Sequence, residues 1–393
     1  MNEIQRSLRS LYVSQFLSAF VDNVVFFVIL GLLSRRGAVN PEAGMLVVQM
    51  GFLLSYIVFA PFVGTFTDKN SKGFTLLIGS LIKLAGTACL FTPLPPHWSY
   101  MIIGIGAVLY GCAKYAAIKG IAGSDTQLLL KANGYLESGT IVAILLGTVA
   151  GGFLSRTPLA GLAVCVILYL ISAAATRWVV CEDTNPSLRY GESAKTFLRD
   201  VKRLFANPRA RFSLIGTSSF WMVSSVLRIT FLIWLAQRLY IEDTFLQSAI
   251  VGSTGIGIVA GALLAPYLTR PGKLSQTTYY GLAMFACILL ALVPLHWGVT
   301  VGWLLLIGAL GGLFLIPMNT ALQVAGHPLV GAGKTIAIQN FTENSFMIAG
   351  IALTRLVVTA GADITLTIGG AAAVFGLLMA GLLRLSSKRS AGV

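Results

Sequence analysis

Apolar residues run through this chain in long unbroken blocks, not in strict alternation and not in narrow helical stripes. A helix needs about 20 residues to cross a hydrocarbon core of ~30 Å. Twelve blocks qualify, at approximately 11–33, 43–67, 74–92, 99–121, 131–154, 158–180, 211–238, 245–269, 275–295, 299–325, 332–358 and 364–385. Continuous runs exclude the alternating strands of a membrane barrel. In lipid a helix also satisfies its own backbone. The longest polar interval, 181–210, leaves six blocks on each side. Within it, 194–206 places Phe197, Val201, Leu204 and Phe205 on one face and basic residues on the other. That pattern fits either a helix lying on the inner leaflet or a solvated linker. The expected domains are 1–180, a linker 181–210, and 211–393.

The two sets of six blocks repeat at an offset of 205 or 206 residues. Ala60-Pro61-Phe62-Val63 matches Ala265-Pro266-Tyr267-Leu268, and Gly106-Ala107-Val108-Leu109 matches Gly311-Gly312-Leu313-Phe314. Asn133-Gly134-Tyr135-Leu136-Glu137 matches Gln339-Asn340-Phe341-Thr342-Glu343. The same register sets Lys114 opposite Asn319 and Asp22 opposite Arg228. A parallel repeat of six helices is the plan of major facilitator transporters, with substrate near the midplane between the halves. The expected fold class is therefore an all-α membrane protein with 12 transmembrane helices in two pseudo-symmetric six-helix bundles.

Composition narrows the class. Of 393 residues, 56% are hydrophobic and 11% charged, with mean hydropathy +0.82. Ordinary soluble domains carry about 25% charge. A water-soluble enzyme and a disordered chain are both excluded. The net charge of +14 does not indicate nucleic acid, because its distribution follows the blocks. With both termini cytoplasmic, twenty Lys and Arg lie inside, and only Arg35, Arg36, Arg156 and Arg238 lie outside. This is the positive-inside pattern. The five cysteines show neither metal nor disulfide spacing and read as inert thiols. No cleavable signal peptide is expected, since Asp22 interrupts the first block.

Charges inside the blocks need a reason, as each costs about 2.5–3.5 kcal/mol at the bilayer centre. Asp22 lies near mid-depth, and Arg228 and Lys114 are deep in their blocks. By analogy with the facilitator plan, these three and the neutral Asn319 face the pathway. Asp22 and Arg228, of opposite sign and from opposite halves, are candidates to meet across the cavity or to divide a zwitterionic head group. The bland alternative is structural ion pairing. Glu137 and Glu343 occupy equivalent positions and suit either substrate contact or a helix lock beside a gate. Lys83 reads as structural and snorkelling, and Arg355 as snorkelling.

The segment Gly64-Thr65-Phe66-Thr67-Asp68-Lys69-Asn70-Ser71-Lys72 resembles the signature loop of the major facilitator superfamily. Gly64 permits close helix approach, Asp68 is placed to pair with a base or helix end, and Lys69 and Lys72 hold orientation. The matching Thr269-Arg270-Pro271-Gly272-Lys273 has lost the acid, which predicts an asymmetric gate. Gly331-Ala332-Gly333-Lys334-Thr335 hints at a phosphate loop but lacks its spacing. His97, His296 and His327 are scattered and make no metal site, and no cofactor is expected.

A narrower resemblance rests on Ser14-Gln15-Phe16-Leu17-Ser18-Ala19-Phe20-Val21-Asp22-Asn23, Phe59 to Gly64, Ala113-Lys114-Tyr115, Lys131-Ala132-Asn133-Gly134, Ala143 to Gly147, Gln339-Asn340 and Glu343-Asn344-Ser345. These segments are similar to the bacterial lysophospholipid transporter (LplT) family. The resemblance implies a non-enzymatic inner-membrane flippase. It would carry lysophosphatidylethanolamine and lysophosphatidylglycerol from the outer to the inner leaflet, without ATP or a proton gradient. An inner-leaflet acyltransferase/acyl-ACP synthetase would then restore the second chain; no such domain is expected within this sequence. Asp22, Asn23, Lys114, Arg228 and Glu343, with Asn319 and Glu137, would serve head-group passage. Cys112 and Ala116 depart from the family's usual Pro and Gly. A monomer that binds membrane lipids and no nucleic acid is expected. The competing reading is a proton-coupled exporter of amphiphilic drugs, with Asp22 or Glu343 carrying the proton.

Overall fold

The structure is a computed structural model that describes residues 3–35, 41–181, 183–241, 244–269, 274–293 and 296–390. Among these residues the regular structure is entirely helical. The helices are α1 (Glu3–Arg35), α2 (Pro41–Val58), α3 (Ala60–Lys69), α4 (Lys72–Cys89), α5 (Pro96–Ala122), α6 (Thr126–Leu154) and α7 (Pro158–Thr176). There follow α8 (Tyr190–Ala206), α9 (Pro208–Leu239), α10 (Thr244–Leu268), α11 (Leu274–Leu289), α12 (Trp297–Val330), α13 (Ala332–Thr359) and α14 (Ile364–Ser390). Proline opens several of them, where its missing N–H is of no consequence. At α9 the Asn207 side chain also caps, accepting from the amides of Arg209 at 3.0 Å and Ala210 at 3.1 Å.

Among the described residues, ten helices are long and apolar enough to cross a bilayer. The second block is not straight: α2 and α3 form a pair bent by 58°. The break falls at Phe59, two residues before Pro61, which can neither donate to the helix ladder nor fit behind the preceding turn. The ninth block forms the shorter apolar stretch Gln276–Leu292. Large apolar side chains point outward along these helices, with Val149 74%, Phe153 72% and Leu377 74% exposed. Such surfaces suit lipid and not water. Arg36, Arg270, Pro271, Gly272 and Lys273 lie outside the described residues.

The chain forms two compact units. The first comprises Met1–Asp125, Val142–Leu204 and Gly326–Phe341; the second comprises Thr126–Ile141, Phe205–Ala325 and Thr342–Val393. Each unit thus takes a helix segment from the opposite half of the sequence: the start of α13 in the first, the start of α6 in the second. In the first unit α1 packs on α7, and α5 on α2 and α4. Its core joins Val21, Val25, Val28, Ile103, Leu162 and Tyr169. In the second, α14 packs on α9 and α11, around Phe231, Trp234, Trp303, Phe314 and Phe375.

The segment 194–206 lies within α8, and part of its apolar stripe is covered by the protein while Val201 and Phe205 stay half-buried. Phe197 and Leu204 are buried within the first unit, and the Phe197 ring meets Phe341 edge-on at 5.5 Å.

Candidate functional site

In the first unit α1, α4, α5 and α7 enclose a polar cluster. Lys83 Nζ donates to Asp22 Oδ2 and to Ser18 Oγ, both at 2.7 Å. Tyr169 donates its phenol hydrogen to Asp22 Oδ1 at 2.5 Å. The Lys83 ammonium lies 5.0 Å from the Tyr110 ring centre and 5.9 Å from that of Tyr169. Its side chain is 2% exposed, whereas Asp22 keeps 21%. A buried pair tolerates its desolvation only when further hydrogen bonds complete both partners; Ser18 and Tyr169 do so here. Asp22 therefore has an ion-pair partner in its own unit. Lys83 does not snorkel, because its nitrogen turns inward to the carboxylate.

The other candidates are divided. Asn23 donates to the Ala19 carbonyl one turn back at 2.8 Å. Lys114, half-buried on α5, places its ammonium 4.8 Å from the Tyr115 ring centre. In the second unit Arg228 is exposed on α9. Glu137, Glu343 and Asn319 are buried there on α6, α13 and α12. Asp22 and Lys114 thus fall in one unit, and Arg228, Glu137, Asn319 and Glu343 in the other. Arg355 is exposed on α13.

A second polar cluster lies at the end of α3. Asp68 accepts the backbone N–H of Gly333 at 2.6 Å and that of Lys334 at 3.0 Å. Its carboxylate thereby caps the N-terminus of α13, where unpaired amides and the helix dipole favour an anion. Gly331 makes this fit possible. Its φ is +102°, and a Cβ there would come within 2.4 Å of Asp68 Oδ2. Gly64 serves the same seam, since its Cβ would fall 2.7 Å from Lys334 Cα. Lys334 reaches Asp200 on α8 at 2.9 Å, and His327 Nε2 lies 3.3 Å from Asp183. The Asn185 amide donates to the Asp68 carbonyl at 2.8 Å. Lys72, buried, donates to the Thr67 carbonyl at 2.9 Å and also to that of Asp183. Lys69 lies over the Tyr190 ring at 4.5 Å. A cavity of about 410 Å³ opens among Asp68, Asp183, Asp200, Arg203, His327 and Lys334.

Side-chain amides help to seat the start of α6 in the second unit. The Asn133 amide donates to Thr320 Oγ1 at 3.0 Å and Gln323 Oε1 at 3.1 Å, and accepts from Gln323 Nε2 at 3.2 Å. Gln127 donates to the Pro266 carbonyl at 2.8 Å. Sequence reasoning did not find this amide pair, nor the roles of Tyr169 and Asp200; it read Lys83 as structural without naming its partner. The glycine-rich run before Lys334 was a signal for an anion at a helix start. The anion is supplied by the chain itself.

Long apolar helices with charges paired among them describe a polytopic membrane protein. The model of the Major Facilitator Superfamily matches residues 11–351. A protein of Klebsiella pneumoniae subsp. pneumoniae named lysophospholipid transporter LplT is 36% identical over 376 residues, covering 94% of this chain and 93% of its own. One of that name from Cronobacter sakazakii is 35% identical over 386 residues, covering 96% and 95%. Among solved structures, the E. coli fucose:proton symporter FucP has TM-score 0.77 at 14% identity, covering 98% of this chain and 99% of its own. The human organic anion transporter MFSD10 gives TM-score 0.77 at 13% identity, covering 98% and 100%. The chain belongs to the Major Facilitator Superfamily and, within it, to the LplT family.

Proposed function

We propose that this protein is a lysophospholipid transporter of the bacterial inner membrane. It moves lysophosphatidylethanolamine and lysophosphatidylglycerol from the outer to the inner leaflet by alternating access, as a monomer with cytoplasmic termini. The product supplies an inner-leaflet acyltransferase/acyl-ACP synthetase. One observation carries this reading: identity to proteins named lysophospholipid transporter extends over more than nine-tenths of both chains.

The charge inventory supports a head group bearing phosphate. The exposed Arg228 and the half-buried Lys114, whose ammonium lies over the Tyr115 ring, supply positive charge for the phosphate common to both lipids. The solvent-reached edge of Asp22 meets the ammonium of the ethanolamine form. Asn23 and Asn319 flank this passage, and Glu137 and Glu343 hold their helices. Gly64, Asp68, Lys69 and Lys72 act at the gate, where release of the α13 start accompanies the change of access.

The test is transport by the purified protein in liposomes, comparing lysophosphatidylethanolamine with its two-chain parent. Uptake of the single-chain lipid, loss of it in Arg228→Ala, and indifference to an uncoupler are expected. Uptake abolished by the uncoupler would favour the proton-coupled exporter of amphiphiles. Full uptake by Asp22→Asn and Arg228→Ala, both well inserted, would remove the head-group role.

A further inference from the structure

The helix α8 presents two opposed faces. Ser193, Phe197, Asp200 and Leu204 are buried. Lys195, Arg199, Lys202 and Arg203 are exposed, and helical spacing gathers them within about 100° of the circumference. Glu192 is the one exposed acid on that helix. We propose that this cationic face is a docking surface for anionic phospholipid head groups of the leaflet bordering α8, distinct from the transport pathway.

Three observations favour lipid over an acidic protein. First, α8 ends at Ala206 and the apolar α9 begins at Pro208. The last turn of α8 therefore emerges within a few residues of a membrane-crossing helix, inside the ~8 Å reach of a charged surface at physiological salt. Second, the positive run continues into the first turn of α9 with the exposed Arg209. Clusters of four or more Lys and Arg in this position attract anionic lipid. Third, part of the apolar stripe is covered by the protein, through Phe197 against Phe341. Contact with the leaflet is thus electrostatic and needs no insertion. Lys and Arg match the phosphate diester that such lipids share.

The surface has a second side. Asp200 on the inner face of α8 holds Lys334 at 2.9 Å, in the first turn of α13. A head group bound outside steadies the same helix that holds this turn inside.

The experiment uses the full chain in nanodiscs of phosphatidylcholine with increasing phosphatidylglycerol, reading hydrogen exchange of residues 190–206. Protection should rise with phosphatidylglycerol and fall with added salt. The variant Lys195→Gln/Arg199→Gln/Lys202→Gln removes three exposed cations and leaves Arg203, which lies 3.8 Å from Asp200. At about 5-fold per charge, its apparent affinity should weaken on the order of 100-fold. Equal exchange at every lipid composition, an unchanged response in the variant, or protection arising only with an added acidic protein would overturn the proposal. Should the variant fail to fold, the lipid and salt titrations of the wild type decide. None of these readouts involves lysolipid transport, so the proposal and the transport function fail separately.

Discussion

Replacing Asp68 by Asn tests whether a carboxylate from α3 sets the start of α13. Asp68 takes two backbone amides, at 2.6 Å and 3.0 Å, with one oxygen each. Hydrogen bonds to a charged group contribute about 1.5–3 kcal/mol. Asn retains one acceptor and turns an NH2 toward the other donor, so one bond is lost and the charge–dipole attraction vanishes. The expected cost is about 3 kcal/mol, on the order of 100-fold in local opening. Hydrogen exchange of residues 331–338 in the reconstituted protein measures that opening directly. Exchange there should accelerate by that order, while the α9 and α14 core stays protected. Asp68→Glu should not restore protection, because Gly331 leaves no room for a longer side chain. Wild-type exchange in Asp68→Asn would refute the argument that the carboxylate organises this helix start.

Three further outcomes follow from other contacts. Lys83→Met strands the Asp22 carboxylate and should cost about 3 kcal/mol in thermal unfolding, whereas Asp22→Asn/Lys83→Met should recover much of it; equal loss in single and double variants would deny the pairing. Asn133→Ala and Gln323→Ala should each cost about 1–2 kcal/mol, with a double-mutant cycle reporting coupling near 1 kcal/mol; additive losses would mean the two amides do not interact. Asp363 accepts from the Thr365 amide at 2.7 Å and pairs with Arg238 at 3.1 Å, and these contacts, the Thr365 ones foremost, hold its carboxyl below the ordinary value. Its stabilising effect is therefore present above the ordinary carboxylate pKa and lost as pH falls through the lowered one; the stability difference from Asp363→Asn should be constant near neutrality and shrink only in acid, and a difference that grows in acid would reverse the sign.

Run length was the legible part of the fold. Each apolar block falls on a helix, because a bilayer imposes both the length and the backbone pairing of what crosses it. The bend at Phe59 was not legible, although Pro61 was in view, because the matching Pro266 sits inside a continuous α10. Whether proline breaks a helix depends on its neighbours. The candidate site was legible as an inventory of charges but not as pairs. Asp22 and Lys83 are 61 residues apart, and only the packing of α1 and α4 on α7 shows that they neutralise each other. Asp200 was hidden differently. One acid among many bases reads as part of a solvated face until its buried position and its reach to Lys334 are seen.

The two exchanged helix starts are equivalent in sequence yet held by different physics. Proline at 266 denies the Ala262 carbonyl its ladder donor, and Gly134 packs against that carbonyl, its Cβ position only 2.6 Å away. The Pro266 carbonyl in turn receives Gln127, and the buried Asn133–Gln323 pair completes the seat. These contacts are between uncharged groups. In the first unit the corresponding seat depends on Asp68, Lys334 and Asp200, with Lys334 17% exposed to solvent. Salt, acid or a charge brought near α8 therefore acts on the start of α13 through these groups. A seat built on charge, unlike one built on amides, answers to salt and pH, and in the first unit that seat is the cluster joining α3, α8 and α13.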